Sequence, residues 1–404
     1  MFINMKRSSI SVYGDKNEIF TFDTEGRLVE FIKNEICFRR GLNGRVLRKS
    51  REAPNADPDY KGCFLSDAEW DEQLGQIRTR LRKIHDGILG GSLELEPLGG
   101  VEPAHNGLAL ALLEFILSRD VAYYEEQKRI FSEIYRRVPV LPPDQYRSFY
   151  LQVTEGCAYN GCAFCGFHRG VDYRCKEIYE FTQHVKDTLK FHAEAISRCR
   201  SIFLGDANAL SAPAEYLEEV FSFLNKKFFS AKSRAEKYHF NGIYSFLDTF
   251  MQAPHSPDVL ASWHAQGLSR VYMGLETGDP ALRKAFNKPD DLSGLMAHVS
   301  ALKGAGINIG FVMLTGFQTA NTDIKHINRS VEVLKELAPE KGDMIYLSPL
   351  SLHEEADVEH LREQGIQPLT GEHRQEDIRN FKSALLQEIP EFKVSIYNIE
   401  NFLH

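Results

Sequence analysis

The sequence has no long hydrophobic run and no surplus of positive charge. Its longest apolar stretch, Leu108–Leu117, contains Glu114 and is about ten residues long, which is too short to cross a bilayer. The net charge of the 404-residue chain is −8, so non-specific binding to nucleic acid is disfavoured. The amino terminus has no signal-peptide pattern. These absences predict a cytoplasmic protein that does not bind a membrane.

The cysteine content argues against a disulfide framework. The chain has seven cysteines, an odd number, and three of them are clustered. This usage is typical of a reducing compartment. With 43% hydrophobic and 26% charged residues, the composition is that of a globular protein. The length suits one large or two medium domains.

Residues 1–145 are predicted to form an α+β domain. Short apolar runs between turn residues indicate strands at Ile10–Tyr13, Ile19–Phe22 and Leu28–Phe31. Ser66 and Glu69 form a capping box, which predicts a helix that ends near His85. Two more helical patterns cover Gly107–Leu117 and Asp120–Val138.

A cationic segment and a loop lie between these strands and helices. Residues 39–51 carry six cations and no acid, which favours a charged edge strand, with a phosphate or carboxylate contact as the alternative. The composition of Glu52–Gly62 predicts a loop.

From Phe149 onward, strand-like and helix-like segments alternate. The predicted strands are Phe149–Val153, Ser201–Leu204, Tyr238–Phe246, Arg270–Leu275, Ile307–Leu314 and Met344–Leu347. Such alternation predicts an α/β fold with a parallel sheet and helices outside. We place this core at 146–350. Residues 351–404 are predicted to add a helix, Glu376–Leu386, and a closing strand, Val394–Tyr397.

Three cysteines follow the first of these strands in one short loop. Cys157, Cys162 and Cys165 have the spacing C-x4-C-x2-C, and glycines at 156, 161 and 166 let the backbone fold back. Three thiolates that converge suit zinc or an iron–sulfur cluster. A loop at the carboxyl end of a strand is a plausible place to hold such a centre.

The residues favour a cluster but leave two alternatives open. A closed zinc site needs a fourth ligand, which Cys175 or His168 could supply, but no second pair of ligands is present. A three-cysteine set instead leaves one iron of a cubane cluster open to an outside ligand. The other alternative to a cluster is a set of buried free thiols.

This cysteine loop resembles that of the radical S-adenosylmethionine (SAM) superfamily, whose usual spacing C-x3-C-x2-C is one residue shorter. The resemblance implies a partial (β/α)6 TIM-like barrel, with a [4Fe-4S] cluster held by Cys157, Cys162 and Cys165. It also implies reductive cleavage of SAM to a 5′-deoxyadenosyl radical, which abstracts hydrogen from a small polar substrate. A flavodoxin or ferredoxin is the expected electron donor, and an exposed cluster would be oxygen-sensitive.

The resemblance also assigns residues to the binding of SAM. Phe164 occupies the aromatic position that packs near adenine, and Gly205 and Asp206 stand at the turn that accepts the methionine ammonium. Glu276 and Lys288 match positions for ribose and for the methionine carboxylate. Weaker assignments are Asn208 beside the ammonium turn, Gly310 near adenine, and Asn241 and Ser245 near ribose or substrate.

The motif Gly-Cys-x-Tyr-Asn-x-Cys-x-Phe-Cys, after Leu141-Pro142-Pro143, is similar to the branch that includes coproporphyrinogen-oxidase-like and cobalamin-linked members. The chain has no Asp-x-His-x-x-Gly motif, so cobalamin is not predicted. The alternatives are an RNA-modifying enzyme of the same superfamily and a zinc-stabilised binding protein. The negative charge makes a nucleic-acid partner the weaker expectation.

Overall fold

A computed structural model describes residues 1–14, 17–50, 62–136, 138, 140–236, 238–319, 323–352 and 355–404. Its backbone divides into two compact units. The N-terminal unit comprises Met1–Arg137, Lys186–Cys199 and Asn401–His404, and the core unit comprises Val138–Val185 and Arg200–Glu400. The domain boundaries drawn from the sequence stay predictions. The loop predicted over Glu52–Gly62 lies outside the described residues, apart from Gly62.

The N-terminal unit contains a seven-stranded antiparallel sheet whose strands follow chain order. The strands are β1 (Phe2–Lys6), β2 (Ser9–Tyr13), β3 (Ile19–Phe22), β4 (Leu28–Lys33), β5 (Ile36–Arg40), β6 (Val46–Ser50) and β7 (Cys63–Phe64). The three strands predicted here are confirmed. The cationic segment does contain a strand, β6, but the prediction that it lies at the edge of the sheet is wrong, because β6 pairs with both β5 and β7.

Three helices follow this sheet along the chain: α1 (Asp67–Leu89), α2 (Asn106–Leu117) and α3 (Val121–Ile134). The predicted capping box is present, since Ser66 and Glu69 bond reciprocally at the start of α1. The apolar stripe of α1 is buried against the sheet, so the helix continues past His85. The third helix ends at Ile134, four residues before the predicted Val138.

The core unit is an α/β structure. Its strands are β8 (Ser148–Gln152), β9 (Thr154–Glu155), β10 (Arg174–Cys175), β11 (Ser201–Gly205), β12 (Ile243–Phe246), β13 (Leu268–Glu276), β14 (Asn308–Thr315), β15 (Phe317–Thr319), β16 (Met344–Pro349), β17 (Ile366–Pro368) and β18 (Lys393–Ile396). The later helices are α4 (Ile178–His192), α5 (Ala214–Leu224), α6 (Ala231–Glu236), α7 (Pro257–Ala265), α8 (Pro280–Ala285), α9 (Ser293–Gly304), α10 (Asp323–Glu336), α11 (Glu355–Glu363) and α12 (Gly371–Glu388).

Seven of these strands form one parallel sheet in the order β18-β16-β14-β13-β12-β11-β8. The α/β class is confirmed, and the open order, with β8 and β18 at its edges, fits a partial barrel. The closing strand predicted at Val394–Tyr397 is the seventh member, β18. Because all seven strands are parallel, their carboxyl ends meet at one edge of the sheet, where a site is expected.

The strand predicted over Tyr238–Phe246 is wrong in its first half, because β12 begins at Ile243. Tyr238 and Phe240 pack edge-on against Phe228 instead, with ring centroids 4.9 and 5.5 Å away. Aromatic residues are typical of strands, so these two side chains led to the wrong prediction although they pack beside a helix. None of the described helices is long and apolar enough to cross a membrane.

Candidate active site

Asp206, at the carboxyl end of β11, anchors the start of the cysteine loop. Its carboxylate accepts hydrogen bonds from the Tyr150 hydroxyl at 3.0 Å and from the Gly156 backbone N–H at 3.3 Å. Gly156 has φ +77°, and a Cβ there would lie 3.0 Å from the carbonyl oxygen of Asp172, so glycine is required. Burial raises the pKa of Asp206 to about 7.

The extra residue of the C-x4-C spacing is accommodated by Tyr159 and Asn160. Asn160 adopts φ +47°, and its side-chain amide donates to the carbonyl of His168 at 3.0 Å. The Tyr159 hydroxyl donates to the carbonyl of Asn287, and its ring packs edge-on against Phe250 at 4.8 Å. The longer loop is thereby fixed against the turn that carries Lys288.

The three thiols lie in this loop, and Cys162 and Cys165 line a cavity of about 230 Å³. All three are free cysteines. Burial raises the pKa of the Cys162 thiol to about 12 and that of Cys165 above its usual value. Within the described ranges, no three Cys, His, Asp or Glu side chains are close enough to hold a metal ion. The ligand assignment therefore stays a prediction, which the number and chemistry of the thiols fit.

A buried ion pair lines the same cavity as Cys162. The Lys288 ammonium lies 2.7 Å from the Glu276 carboxylate and donates to the carbonyl of Gly274 at 3.2 Å. Burial acts to lower the pKa of Lys288, but the charges of Glu276 and Cys162 and the hydrogen bond to Glu276 together outweigh burial and raise the pKa. The ring of Phe164 lies 5.8 Å from the ammonium. This wall therefore holds one cation and one anion in a site of low dielectric.

The structure brings some of the predicted cofactor residues to this cavity. Phe164, Glu276 and Lys288 line it with the two cysteines. Gly205 and Asp206 lie below the loop, where the Gly205 carbonyl accepts the backbone N–H of Val153 at 2.7 Å. Asn208 does not line the cavity itself, but its side chain hydrogen-bonds Asp248, which does.

Other predicted residues lie elsewhere, and their roles stay predictions. Asn241 is exposed and precedes the first residue of β12, at the amino-terminal edge of the sheet. The Ser245 hydroxyl is used by the protein, since it donates to the carbonyl of Leu204 at 2.9 Å. Gly310 packs against the rings of Tyr272 and Tyr346 rather than at the cavity.

Sequence reasoning missed Asp248 and also Asp144, which accepts hydrogen bonds from Arg270, Tyr272 and Tyr346. Asp248 lines the cavity, and its carboxylate accepts the backbone N–H groups of Phe250 and Met251 at 3.2 and 3.0 Å. A single carboxylate in a loop between a strand and a helix carries no signal that separates it from a turn residue. Its pairing with Asn208 depends on the adjacency of β11 and β12, which appears only in the folded sheet.

A model of the family described as Radical SAM superfamily matches residues 151–331. No curated protein matches the chain significantly. The solved structures that match include the SAM methyltransferase TsrM from Kitasatospora setae, with cobalamin and a [4Fe-4S] cluster bound. That match is 16% identical with TM-score 0.40, and it covers 56% of this chain and 43% of TsrM.

Two further solved structures match at similar levels. Coproporphyrinogen III oxidase (HemN) from Escherichia coli, described as a radical SAM enzyme, is 17% identical with TM-score 0.41, covering 65% of this chain and 56% of HemN. HydG, a maturase of the [FeFe]-hydrogenase, is 14% identical with TM-score 0.41, covering 80% of this chain and 66% of HydG. The chain thus spans about half the length of the first two structures. The superfamily predicted from the cysteine loop is confirmed for residues 151–331, which match the model of the radical SAM superfamily.

Proposed function

We propose that the protein is a radical SAM enzyme whose Cys157, Cys162 and Cys165 hold a [4Fe-4S] cluster beside the cavity. The observation that carries this proposal is the cysteine loop inside the matched domain, with Cys162 and Cys165 lining the same cavity as Lys288 and Glu276. When bound, the cluster and SAM would supply reductive cleavage to a 5′-deoxyadenosyl radical, which abstracts hydrogen from a small molecule.

The buried ion pair is suited to bind the polar ends of SAM. The Lys288 ammonium can bind the methionine carboxylate, and Glu276 can accept ribose hydroxyls, because each offers charge inside a water-poor site. In the protein alone the two groups satisfy each other at 2.7 Å. Binding therefore exchanges one buried ion pair for two charge-assisted contacts and leaves neither group unpaired.

Other residues position the loop and exclude water. Asp206 fixes the backbone just before Cys157, and Tyr159 fixes the loop against the turn at Asn287. Phe164 and Phe250 flank the Lys288 ammonium at 5.8 and 5.9 Å. A small reductase such as a flavodoxin or ferredoxin would supply the electron, and the two aromatic rings would help to keep water away from a reactive species.

Anaerobic reconstitution with iron and sulfide tests the proposal. We expect about four irons per chain and formation of 5′-deoxyadenosine from SAM under reducing conditions. Cys162→Ala is expected to lower 5′-deoxyadenosine formation at least about hundredfold, because an open three-thiolate set would lose one ligand. Cys63→Ala is the matched control, since Cys63 is exposed on β7 and should be silent. One zinc per chain and no 5′-deoxyadenosine would contradict the proposal.

A further inference from the structure

Arg40, in the cationic segment of residues 39–51, is a buried cation without an acceptor. It lies on β5 and is 8% exposed, and among the residues that the structure describes its guanidinium makes no hydrogen bond and no ion pair. Its Nε is shut off from solvent, whereas its two terminal nitrogens keep some contact with solvent. A buried guanidinium that donates to nothing is unfavourable, because it has lost water without gaining an acceptor.

Two aromatic rings fix the position of Arg40. Its guanidinium carbon lies 4.6 Å from the ring centroid of Tyr124 on α3 and 5.6 Å from that of Trp70 on α1. The two rings pack edge-on against each other at 5.7 Å, and the Tyr124 hydroxyl accepts the backbone N–H of Leu28 at 2.9 Å. Ring faces attract a cation but carry no negative charge, so they hold the side chain in place without neutralising it.

Asp23, whose charge acts on Arg40, is already occupied by a second buried arginine, Arg27. One oxygen of Asp23 accepts the Nε–H of Arg27 at 2.7 Å, and the other accepts two backbone N–H groups at 2.9 Å each. Arg27 also donates to Gln127 and to the carbonyl of Phe191, yet its Nη2 is buried without a partner. Two buried arginines thus have one carboxylate between them. Burial, together with the charge of Arg27, lowers the pKa of Arg40, as expected for a cation that no acid pairs with.

We propose that Arg40 binds an oxyanion, a carboxylate or phosphate group, at a site of the N-terminal unit formed by β5, α1 and α3. A planar guanidinium matches two oxygens of such a group, and the anion would compensate the unpaired positive charge. The sequence leaves a phosphate or carboxylate contact open for the cationic segment, and the site assigns that contact to Arg40. The proposal does not depend on the proposed function, because all of these residues lie outside the core unit.

The fluorescence of Trp70 tests this assignment, because its ring lies against Arg40. The chain has two tryptophans, so Trp263→Phe leaves Trp70 as the remaining one. This full-length variant is titrated with sodium acetate and, separately, with sodium phosphate, and sodium chloride holds the ionic strength constant. We expect a saturable change in emission with at least one oxyanion. The lower dissociation constant of the two shows whether a carboxylate or a phosphate group is preferred.

Three further changes in the same background locate the binding group. Arg40→Met should abolish the saturable change, because it removes the donors and keeps an unbranched side chain. Arg40→Lys keeps the charge but not the planar fork, and it should weaken binding about fivefold or more, which separates loss of the fork from loss of folding. Arg39→Met is the matched control, because the side chain of this neighbouring arginine is 53% exposed, and the dissociation constant should not change.

Thermal unfolding of the chain with both tryptophans gives a second measurement. The preferred oxyanion should raise the unfolding midpoint of wild type by about 2 °C or more over chloride at equal ionic strength, and Arg40→Met should lose this rise. An emission of Trp70 that neither oxyanion alters, or that changes equally in Arg40→Met, would overturn the proposal. Midpoints that respond to the salts alike in wild type and Arg40→Met would overturn it too, because the salts would then act on the whole protein surface.

Discussion

Charged groups lie towards both ends of the parallel sheet, and the two sets are arranged differently. Towards the amino ends, Asp144 accepts hydrogen bonds from Tyr272 and Tyr346 at 2.7 Å each and from Arg270 at 2.8 Å. At the carboxyl ends, Glu276 and Lys288 pair with each other and face a cavity. The first set is saturated by neighbouring side chains and stabilises the fold. The second can exchange its partner for a ligand.

Of the changes that test this difference between the two sets of charged groups, Lys288→Met is expected to have the largest effect. The change removes the cation and leaves Glu276 buried without its partner, which costs about 3–5 kcal/mol of unfolding free energy at neutral pH. The affinity for SAM should fall at least about tenfold, because the proposed carboxylate contact is lost. Chemical unfolding and equilibrium dialysis with SAM measure the two effects.

Lys284→Met is the control, since Lys284 is exposed on α8, one turn earlier. It should change neither quantity. If Lys288→Met bound SAM as tightly as Lys284→Met, the ion pair would be structural, and the contrast between the two ends of the sheet would fail.

The pH dependence of stability tests the anchor below the cysteine loop. The pKa of Asp206 is about 7 in the folded protein, against 3.8 for the ordinary carboxyl. The folded state therefore holds its proton more tightly, and the contribution of Asp206 to stability is greatest below pH 3.8 and is lost as the pH rises to about 7.

Asp206→Asn removes this titration but keeps an acceptor oxygen. The unfolding free energy of wild type minus that of the variant should fall by about 2 kcal/mol between pH 5 and pH 8. Urea unfolding of the metal-free protein across this range measures it. A difference that stays constant would mean that Asp206 is ionised throughout.

A smaller loss of stability is expected from Asp144→Asn. An amide offers one acceptor oxygen where the carboxylate offers two, so at least one of the four donors, which include the side-chain amide of Gln145, loses its partner, at a cost of about 1–3 kcal/mol. Formation of 5′-deoxyadenosine per folded protein should be unchanged. A large fall in this activity at full folding would place the Asp144 cluster in the chemistry rather than in the fold.

The smallest effect is expected from Tyr159→Phe, which keeps the ring against Phe250 and removes the hydroxyl bonded to Asn287. About 1 kcal/mol of stability should be lost. The rate of cluster loss to a chelator should rise, because the loop is held less firmly. Tyr179→Phe, at an exposed position on α4, is the control and should leave that rate unchanged.

Local patterns predicted much of the fold. The capping box at Ser66 and the alternation after Phe149 depend on residues that are close in sequence, so α1 and most strands of the parallel sheet were predicted. The start of β12 was not, because Tyr238 and Phe240 have strand-like composition but pack beside Phe228. The helix α11 was also missed, since its mixed polar sequence has no clear apolar period.

The residues of the site that lie in short sequence motifs could be predicted. The cysteine loop, Phe164, Glu276 and Lys288 follow from local motifs, and the structure brings them to one cavity. Other residues that line the cavity, such as Val140, Ser348 and Tyr397, are far apart in the chain and carry no shared pattern. Their proximity depends on the pairing of β18 with β16, a parallel contact that sequence periodicity does not specify.

The most direct test of the central claim is electron paramagnetic resonance of the reconstituted and reduced protein, recorded with and without SAM. The account predicts the signal of a reduced [4Fe-4S] cluster whose g-values shift when SAM is added, because the methionine group of SAM would bind the iron that the three cysteines would leave open. A signal that SAM does not alter, or a protein that takes up no iron, would contradict it.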